Sequence, residues 1–158
     1  MKYVHGDITT VKSGLIIHGV NCKKAMGSGV AKSIKDKWPL VYDEYMSIRQ
    51  GKEVLGKVQF VNISLYPHLT IANCFTQEFF GNEPGRVYAD IEAVRSCLRK
   101  AFMYASLYEV PLYSPKIASL RAGLDWDTEV VPVFEEMEAL FPEVKVTIYY
   151  VDANFVNF

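Results

Sequence analysis

The sequence lacks long hydrophobic runs, and it contains few cysteines. No apolar stretch in its 158 residues approaches the ~20 residues of a membrane-spanning helix. Residues 1–7 also lack the apolar core of a secretory signal peptide. The three cysteines, Cys22, Cys74 and Cys97, are odd in number and widely spread, which argues against a disulfide framework. We therefore expect a soluble cytoplasmic protein with no membrane partner, in which the cysteines are reduced and buried.

The sequence also has little net charge. The formal net charge is −1, so the chain lacks the bulk positive charge of nucleic-acid-binding proteins, which argues against a nucleic-acid partner. No cysteine or histidine pair has metal-ligand spacing, and the sequence predicts neither a metal nor a cofactor. By contrast, 50% of the residues are hydrophobic and 13% are aromatic, enough for a sizeable core. With no linker or internal repeat, we expect residues 1–158 to form a single domain.

Apolar periodicity predicts strands and helices that mostly alternate along the chain. Strands are predicted at residues 3–5, 15–20, 57–63, 69–75, 110–117 and 144–151. Helices are predicted at residues 30–38, 39–50, 90–105 and 130–141, with Pro39 opening the second and Asp90 capping the third. Residues 78–88 and 118–126 are predicted loops. This order predicts an α/β fold, a three-layer α/β/α sandwich around a mixed, mostly parallel sheet.

One segment, residues 15–32, has the layout of a ligand site at the carboxyl end of such a sheet. A short apolar strand ends in the polar residues His18 and Asn21, and a loop with Gly27 and Gly29 leads into a helix near Val30. Free backbone N–H groups at a helix start favour an anion, most often a phosphate. A plain connecting turn also favours glycine, and the loop matches neither the Walker pattern nor the dinucleotide fingerprint.

Polar residues also follow other predicted strands. They are Thr76 and Gln77 after the fourth strand, and Lys116, Arg121 and Asp125 after the fifth. Parallel strands bring such ends to one edge of a sheet. The loop after Ile117 precedes a helix and forms a second candidate backbone cradle, and two cradles in one crevice would suit a diphosphate.

In these segments the sequence resembles the macro domain, an ADP-ribose-binding fold. Residues 6–9, Gly-Asp-Ile-Thr, are similar to the family's G-D-I-T segment. Residues 21–31 are similar to its asparagine and G-x-G-[VI]-A loop, and residues 115–126 to its second phosphate loop. The matches run in order over nearly the whole chain. His18 near Asn21, residues 74–77 and the pair Asp125-Trp126 are most similar to the branch of ADP-ribose-1″-phosphate phosphatases and terminal ADP-ribose glycohydrolases.

The resemblance implies ADP-ribose, or a derivative of it, as the ligand. Asp7, with Gly6 and the backbone of Ile8 beside it, would accept a hydrogen bond from the adenine amino group. Asn21 would contact the distal ribose, and Asn154 or Phe155 would edge or stack against the adenine. The diphosphate would be held by two loops, made of Gly27, Ser28, Gly29 and Val30 and of Ser119, Leu120, Arg121, Ala122, Gly123 and Leu124.

The second phosphate loop departs from the family pattern. Glycines are usual where this chain has Ala118 and Leu120, and a Cβ at each position restricts the backbone and its approach to phosphate. Two outcomes are open. Arg121 could compensate by forking onto a phosphate, or ADP-ribose binding could be weaker or altered.

Two catalytic schemes follow from the resemblance. In a phosphatase, a side chain activates water or attacks directly at the 1″-phosphate; in a glycohydrolase, a carboxylate assists cleavage at C1″. Asp125 is the first candidate for either role, His18 is the second for phosphate chemistry, and Asn21 completes the polar set. The structural alternatives are a helix cap for Asp125 or Asp127, a hydrogen-bonded strand-end histidine for His18, and a turn residue for Asn21.

We therefore expect hydrolysis of ADP-ribose 1″-phosphate to ADP-ribose and phosphate. The alternatives are a non-catalytic ADP-ribose reader and a glycohydrolase that removes ADP-ribose from acidic residues of proteins, which would make an ADP-ribosylated protein the partner. An Asp125 that points away from the site would favour the reader.

Overall fold

Six strands form one sheet in the computed structural model, which describes residues 1–151. They are β1 (Lys2–His5), β2 (Gly14–Asn21), β3 (Val58–Leu65), β4 (His68–Gln77), β5 (Leu112–Ser114) and β6 (Val146–Tyr150). Their order across the sheet is β1-β6-β5-β2-β4-β3, and every neighbouring pair is parallel except β3 with β4. β3 and β4 are antiparallel because only residues 66–67 join them. The predicted mixed, mostly parallel sheet is confirmed.

Four α-helices cover the sheet: α1 (Gly29–Lys37), α2 (Pro39–Ser47), α3 (Ile91–Tyr108) and α4 (Val131–Leu140). Pro39 opens α2, where its missing N–H costs nothing. Asp90 caps α3 as predicted, because its carboxylate accepts a hydrogen bond from the Ala93 N–H at 2.9 Å. α3 ends at Tyr108, and the next residue, Glu109, has a left-handed backbone with φ of 54°.

The helices lie in two layers, one on each face of the sheet. Alternate residues of β2 show this arrangement, because Leu15 and Ile17 pack in the core formed with α3 and α4, whereas Ile16 packs in the core formed with α1 and α2. A strand buried on both faces is apolar at consecutive positions, which explains its continuous hydrophobic run. The three-layer α/β/α sandwich is therefore confirmed.

Several predicted element boundaries are wrong. The strand predicted at residues 110–117 is reduced to β5, because Pro111 and Pro115 flank it and cannot donate to the sheet. The predicted helix 39–50 ends at Ser47. A short 3₁₀ turn, Leu120–Ala122, forms within the predicted loop 118–126, and one π-helical turn, Trp126–Val130, precedes α4.

Three further findings concern the described residues. All three cysteines are free and buried, as predicted. None of the helices in residues 1–151 is both long enough and apolar enough to cross a membrane. The predicted adenine contacts Asn154 and Phe155 lie outside the described residues.

Candidate functional site

A cleft of about 920 Å³ lies over the carboxyl ends of the parallel strands. This volume falls within the range of roughly 300–1,000 Å³ that is usual for small-molecule sites. Its walls come from the segment after β1, the end of β2 and its loop into α1, the end of β4, the loop after β5, and the end of β6. The cleft therefore lies at the edge of the sheet where the sequence predicted that the polar ends of the parallel strands meet.

Most of the predicted site residues line this cleft. Those that do are Gly6, Asp7, Ile8, His18, Asn21, Gly27, Ser28, Gly29, Val30, Ser119, Leu120, Arg121 and Ala122. Gly123, Leu124 and Asp125 do not line it. Leu124 is buried in the core formed with α3 and α4, and Gly123 packs so closely on Val87 that an added Cβ would lie 2.9 Å from its Cα.

Asp7 lines the cleft and follows β1 closely in sequence. Its Oδ1 atom accepts hydrogen bonds from the Thr9 N–H at 2.9 Å and from the Thr9 hydroxyl at 2.8 Å. These bonds cap the short turn of residues 8–10 and hold the carboxylate in place. Among the described residues that line the cleft, Asp7 is the only carboxylate.

Asn21 organises the first loop (residues 22–28), which leads from β2 to α1. Its Nδ2 donates to the Ala25 carbonyl at 2.7 Å, and its Oδ1 accepts from the Lys23 N–H at 3.0 Å. The buried hydroxyl of Tyr45 donates to Asn21, with the backbone carbonyl oxygen at 2.7 Å and Oδ1 at 3.0 Å. Both ends of the amide are thus engaged within the protein. The structure shows the turn role that the sequence offered as the alternative, and Asn21 has little capacity left for catalysis.

The start of α1 lines the cleft. Ser28 occupies the N-cap position without capping the helix through its side chain, and Gly29 has φ of 62°. A Cβ on Gly27 or Gly29 would meet no atom within 4 Å, so both glycines face open space. The first backbone N–H groups of this helix are therefore available to a phosphate.

The second loop (residues 115–125) faces the first across the cleft. Arg121 Nη1 donates to Ser28 Oγ at 3.0 Å, which joins the two loops. Ala118 and Leu120 adopt left-handed backbone angles, with φ of 64° and 58°. Glycine would adopt these angles freely, whereas a residue with a Cβ does so at a cost of roughly 1–2 kcal/mol. The loop therefore keeps a glycine-type conformation in spite of its sequence.

His18 is buried in the wall of the cleft, with 1% of its surface exposed. Its Nε2 lies 2.5 Å from Asn73 Oδ1 on β4, so it is the hydrogen-bonded strand-end histidine that the sequence offered as an alternative. Burial lowers the pKa of His18 to about 4, against a smaller raising effect of the Asn73 hydrogen bond. The ring is therefore neutral at pH 7, and one of its two nitrogens carries a lone pair that can accept a hydrogen bond.

Asp125 does not line the cleft, so the structure does not bring it together with His18 and Asn21, the other predicted catalytic residues. Its Oδ1 accepts from the Thr128 N–H and from the Thr128 hydroxyl, both at 2.9 Å, so it caps the turn that leads into α4. These hydrogen bonds lower the pKa of the Asp125 carboxyl below its ordinary value. The flanking Leu124 and Trp126 are both buried, which turns the intervening Asp125 outward to solvent.

Four residues of the cleft wall were not predicted as site residues or were given no role there. Lys116 lies with Nζ 5.4 Å from the ring centre of Tyr150, and both residues line the cleft beside Tyr149. The hydroxyl of Thr76 is buried without a hydrogen-bond partner among the described residues. Tyr149 and Tyr150 end the last parallel strand, and that position was the signal by which they could have been found. Within residues 1–151 no group of three or more His, Cys, Asp or Glu could hold a metal.

Comparison with known proteins gave one curated relative and many solved structures of the same fold. The chain is 26% identical over 139 residues to an ADP-ribose 1″-phosphate phosphatase of Candida albicans. The aligned region covers 82% of this chain and 89% of that protein. A macrodomain protein of Streptomyces coelicolor superposes with a TM-score of 0.72 and 26% identity, over 94% of this chain and 97% of that chain. Thermosipho africanus DarTG in complex with ADP-ribose gives a TM-score of 0.74 and 19% identity, over 99% of this chain and 42% of that chain. No family model matches the chain.

Proposed function

We propose that this chain, which has the macrodomain fold, binds ADP-ribose in the cleft and hydrolyses ADP-ribose 1″-phosphate to ADP-ribose and phosphate. One observation carries the proposal: the start of α1 and the second loop face each other across the cleft and are joined by the Arg121–Ser28 hydrogen bond. Two sets of backbone N–H groups, together with a guanidinium, suit the two phosphates of a nucleoside diphosphate. The curated relative and the ADP-ribose complex support the choice of ligand.

In this proposal, the Asp7 carboxylate accepts a hydrogen bond from the adenine amino group. The diphosphate lies between the two loops, where Gly29 allows close approach and Arg121 supplies positive charge. The distal ribose and its 1″-phosphate then reach the region of the β2 end.

His18 is the proposed general base. Its neutral ring takes a proton from a water molecule while the water oxygen attacks phosphorus. The bond between phosphorus and the 1″-oxygen breaks, its electron pair stays on that oxygen, and the oxygen takes a proton from solvent. A phosphatase is favoured over a glycohydrolase because Asp7, the one carboxylate lining the described cleft, is assigned to adenine.

A non-catalytic reader of ADP-ribose is the second candidate. The outward position of Asp125 favours it, because the one carboxylate of the second loop caps the turn that leads into α4 and does not line the cleft.

Calorimetric titration with ADP-ribose and phosphate release from ADP-ribose 1″-phosphate test the proposal together. We expect Asp7→Ala to weaken ADP-ribose binding roughly tenfold, the loss of one good hydrogen bond to a charged acceptor. The control is Thr9→Val, which removes only the hydroxyl bond to Asp7 Oδ1 and should bind almost as the wild type does.

Phosphate release should be lost in His18→Gln while ADP-ribose binding is retained. Binding without release by the wild type would support the reader, and release of ADP-ribose from an ADP-ribosylated protein would support the glycohydrolase. A wild-type protein that does not bind ADP-ribose would overturn the proposed function altogether.

A further inference from the structure

His18 lies beside Asn73 on the adjacent strand, and the two form a register pair between β2 and β4. Both side chains are buried, with 1% and 0% of their surfaces exposed. Asn73 is in turn connected to Gln59 on β3 and to the backbone of α2. A chain of side-chain hydrogen bonds therefore runs across three strands and ends at the cleft.

Backbone carbonyls, which only accept hydrogen bonds, determine which atom donates in each hydrogen bond of this side-chain network. Gln59 Nε2 donates to the Glu44 carbonyl at 2.8 Å, so Gln59 Oε1 faces Asn73. Asn73 Nδ2 donates to that Oε1 at 3.0 Å and to the Val41 carbonyl at 3.4 Å. A flipped Asn73 amide would place its oxygen against two acceptors. Asn73 Oδ1 therefore faces His18.

The orientation of Asn73 determines where the proton of the imidazole resides. Asn73 Oδ1 accepts, so His18 Nε2 must donate across their 2.5 Å contact. A neutral imidazole carries one proton, and burial keeps the ring neutral, so His18 Nδ1 bears a lone pair. That nitrogen is buried and has no hydrogen-bond partner among the described residues. A buried acceptor without a partner is unfavourable and calls for an explanation.

We propose that Asn73 is a positioning residue that holds His18 as the Nε2–H tautomer, so that Nδ1 accepts a hydrogen bond from a water or ribose hydroxyl bound in the cleft. The identity of that ligand rests on the proposed function, whereas the tautomer does not. In the hydrolysis, Nδ1 is the atom that receives the proton of the attacking water, and Asn73 Oδ1 continues to accept from Nε2–H. The Gln59 amide and the Val41 carbonyl accept hydrogen bonds from Asn73 Nδ2 and hold the Asn73 amide in this orientation.

Nuclear magnetic resonance of protein with ¹⁵N-labelled histidine tests the tautomer in the absence of ligand. The three histidines are assigned with the variants His5→Gln and His68→Gln. We expect a protonated Nε2 and an unprotonated Nδ1 for His18 at pH 7. Addition of ADP-ribose should shift the Nδ1 resonance and leave Nε2 protonated. A proton found on Nδ1 overturns the proposal, and so does an Nδ1 resonance that stays fixed while calorimetry shows binding.

The variant Asn73→Leu tests the positioning role itself. It removes the acceptor at similar volume, so we expect mixed His18 tautomers and a fall in kcat of at least about tenfold, with KM changed much less. The control Thr70→Val deletes another buried hydrogen-bonding group of β4, which contacts the Tyr104 hydroxyl at 2.9 Å. It should keep both the His18 tautomer and kcat.

The two proposals fail in different ways. A wild-type protein with the expected tautomer that binds no ADP-ribose overturns the proposed function and upholds the positioning role of Asn73. Catalysis through His18 with an unchanged tautomer in Asn73→Leu overturns the positioning role and leaves the proposed function standing. If Asn73→Leu does not fold, the wild-type resonances alone decide the tautomer.

Discussion

The polar side chains around the cleft differ in how much hydrogen-bonding capacity remains for a ligand. Asn21 uses its amide oxygen and nitrogen within the protein. Asp7 is held by Thr9 through one carboxylate oxygen, and His18 is held through one ring nitrogen. Each of the latter two has a second atom for which no intramolecular hydrogen bond is found in the described residues. At this scale, residues that have one atom held by the protein and a second atom without a partner there are the better candidates for ligand contact.

Asp125→Ala tests whether this carboxylate acts only as a cap. We expect the variant to unfold at lower urea concentration at pH 7, with unchanged phosphate release. Hydrogen bonds from Thr128 lower the pKa of the Asp125 carboxyl in the folded protein. The stabilisation by Asp125 is therefore fully present above the pKa of an aspartate in the unfolded chain, about 3.9. It should disappear as the pH falls through the lower pKa that Asp125 has in the folded protein. Asp127→Ala is the control, and a loss of phosphate release in Asp125→Ala would restore the catalytic assignment.

The two loops are the elements that shape the cleft, and the second is held under backbone strain. Leu120 has φ of 58° and is 65% exposed, so removing its side chain loses little packing. Glu109 has φ of 54° at the end of α3, outside the cleft. Both positions adopt angles that glycine prefers.

We expect Leu120→Gly and Glu109→Gly each to raise the free energy of unfolding by up to about 1 kcal/mol, because relief of strain exceeds the added chain entropy. Urea denaturation measures both changes. Only Leu120→Gly should alter ADP-ribose affinity, since only Leu120 lines the cleft. Glu109→Ala keeps the Cβ and should give no gain, and equal effects of Gly and Ala would contradict strain as the cause.

Arg121 provides the polar link between the two loops, and its charge is the feature to test. Arg121→Gln should weaken ADP-ribose binding roughly tenfold or more and reduce the dependence of affinity on salt, because one charge-assisted contact is lost. Arg121→Lys should be intermediate, since an ammonium lacks the planar fork. Arg95→Gln is the control, because Arg95 pairs with Glu92 and Glu136 on the surface of α3 and α4. A salt dependence unchanged in Arg121→Gln would exclude contact with the diphosphate.

At the scale of the whole molecule, His18 links the site to acid stability. Its pKa is 6.5 in an unfolded chain and about 4 in the folded protein, so the unfolded state binds more protons between these values. The contribution of His18 to the free energy of unfolding should therefore be constant above pH 6.5 and fall by about 3 kcal/mol between pH 6.5 and 4. Below pH 4 this contribution should not change further.

Urea denaturation across this pH range measures the effect. His18→Gln should be less stable at pH 7 and show a shallower fall in stability toward pH 4. Equal slopes in the wild type and His18→Gln would show that the buried histidine is not the cause. We also expect a single unfolding transition by both fluorescence and circular dichroism, because one sheet contains the first and last strands of the described chain.

The sequence alone determined the features that depend on neighbouring residues. The apolar run of β2, the opening of α2 at Pro39 and the Asp90 cap of α3 each follow from contacts a few residues apart. Their alternating order implied a mostly parallel sheet, and the polar ends of its strands implied a cleft at one edge. These signals are local, because periodicity and capping act within one or two turns of chain.

The tertiary structure decided which polar atoms remain open to a ligand. His18 and Asn73 are 55 residues apart in sequence, Asn21 and Tyr45 are 24 apart, and Arg121 and Ser28 are 93 apart. Strand register and helix packing set these pairings, and no local pattern encodes them. The same packing buries Leu124 and Trp126 and turns Asp125 outward, away from the cleft. Sequence thus located the cleft, whereas long-range packing selected the atoms that can act in it.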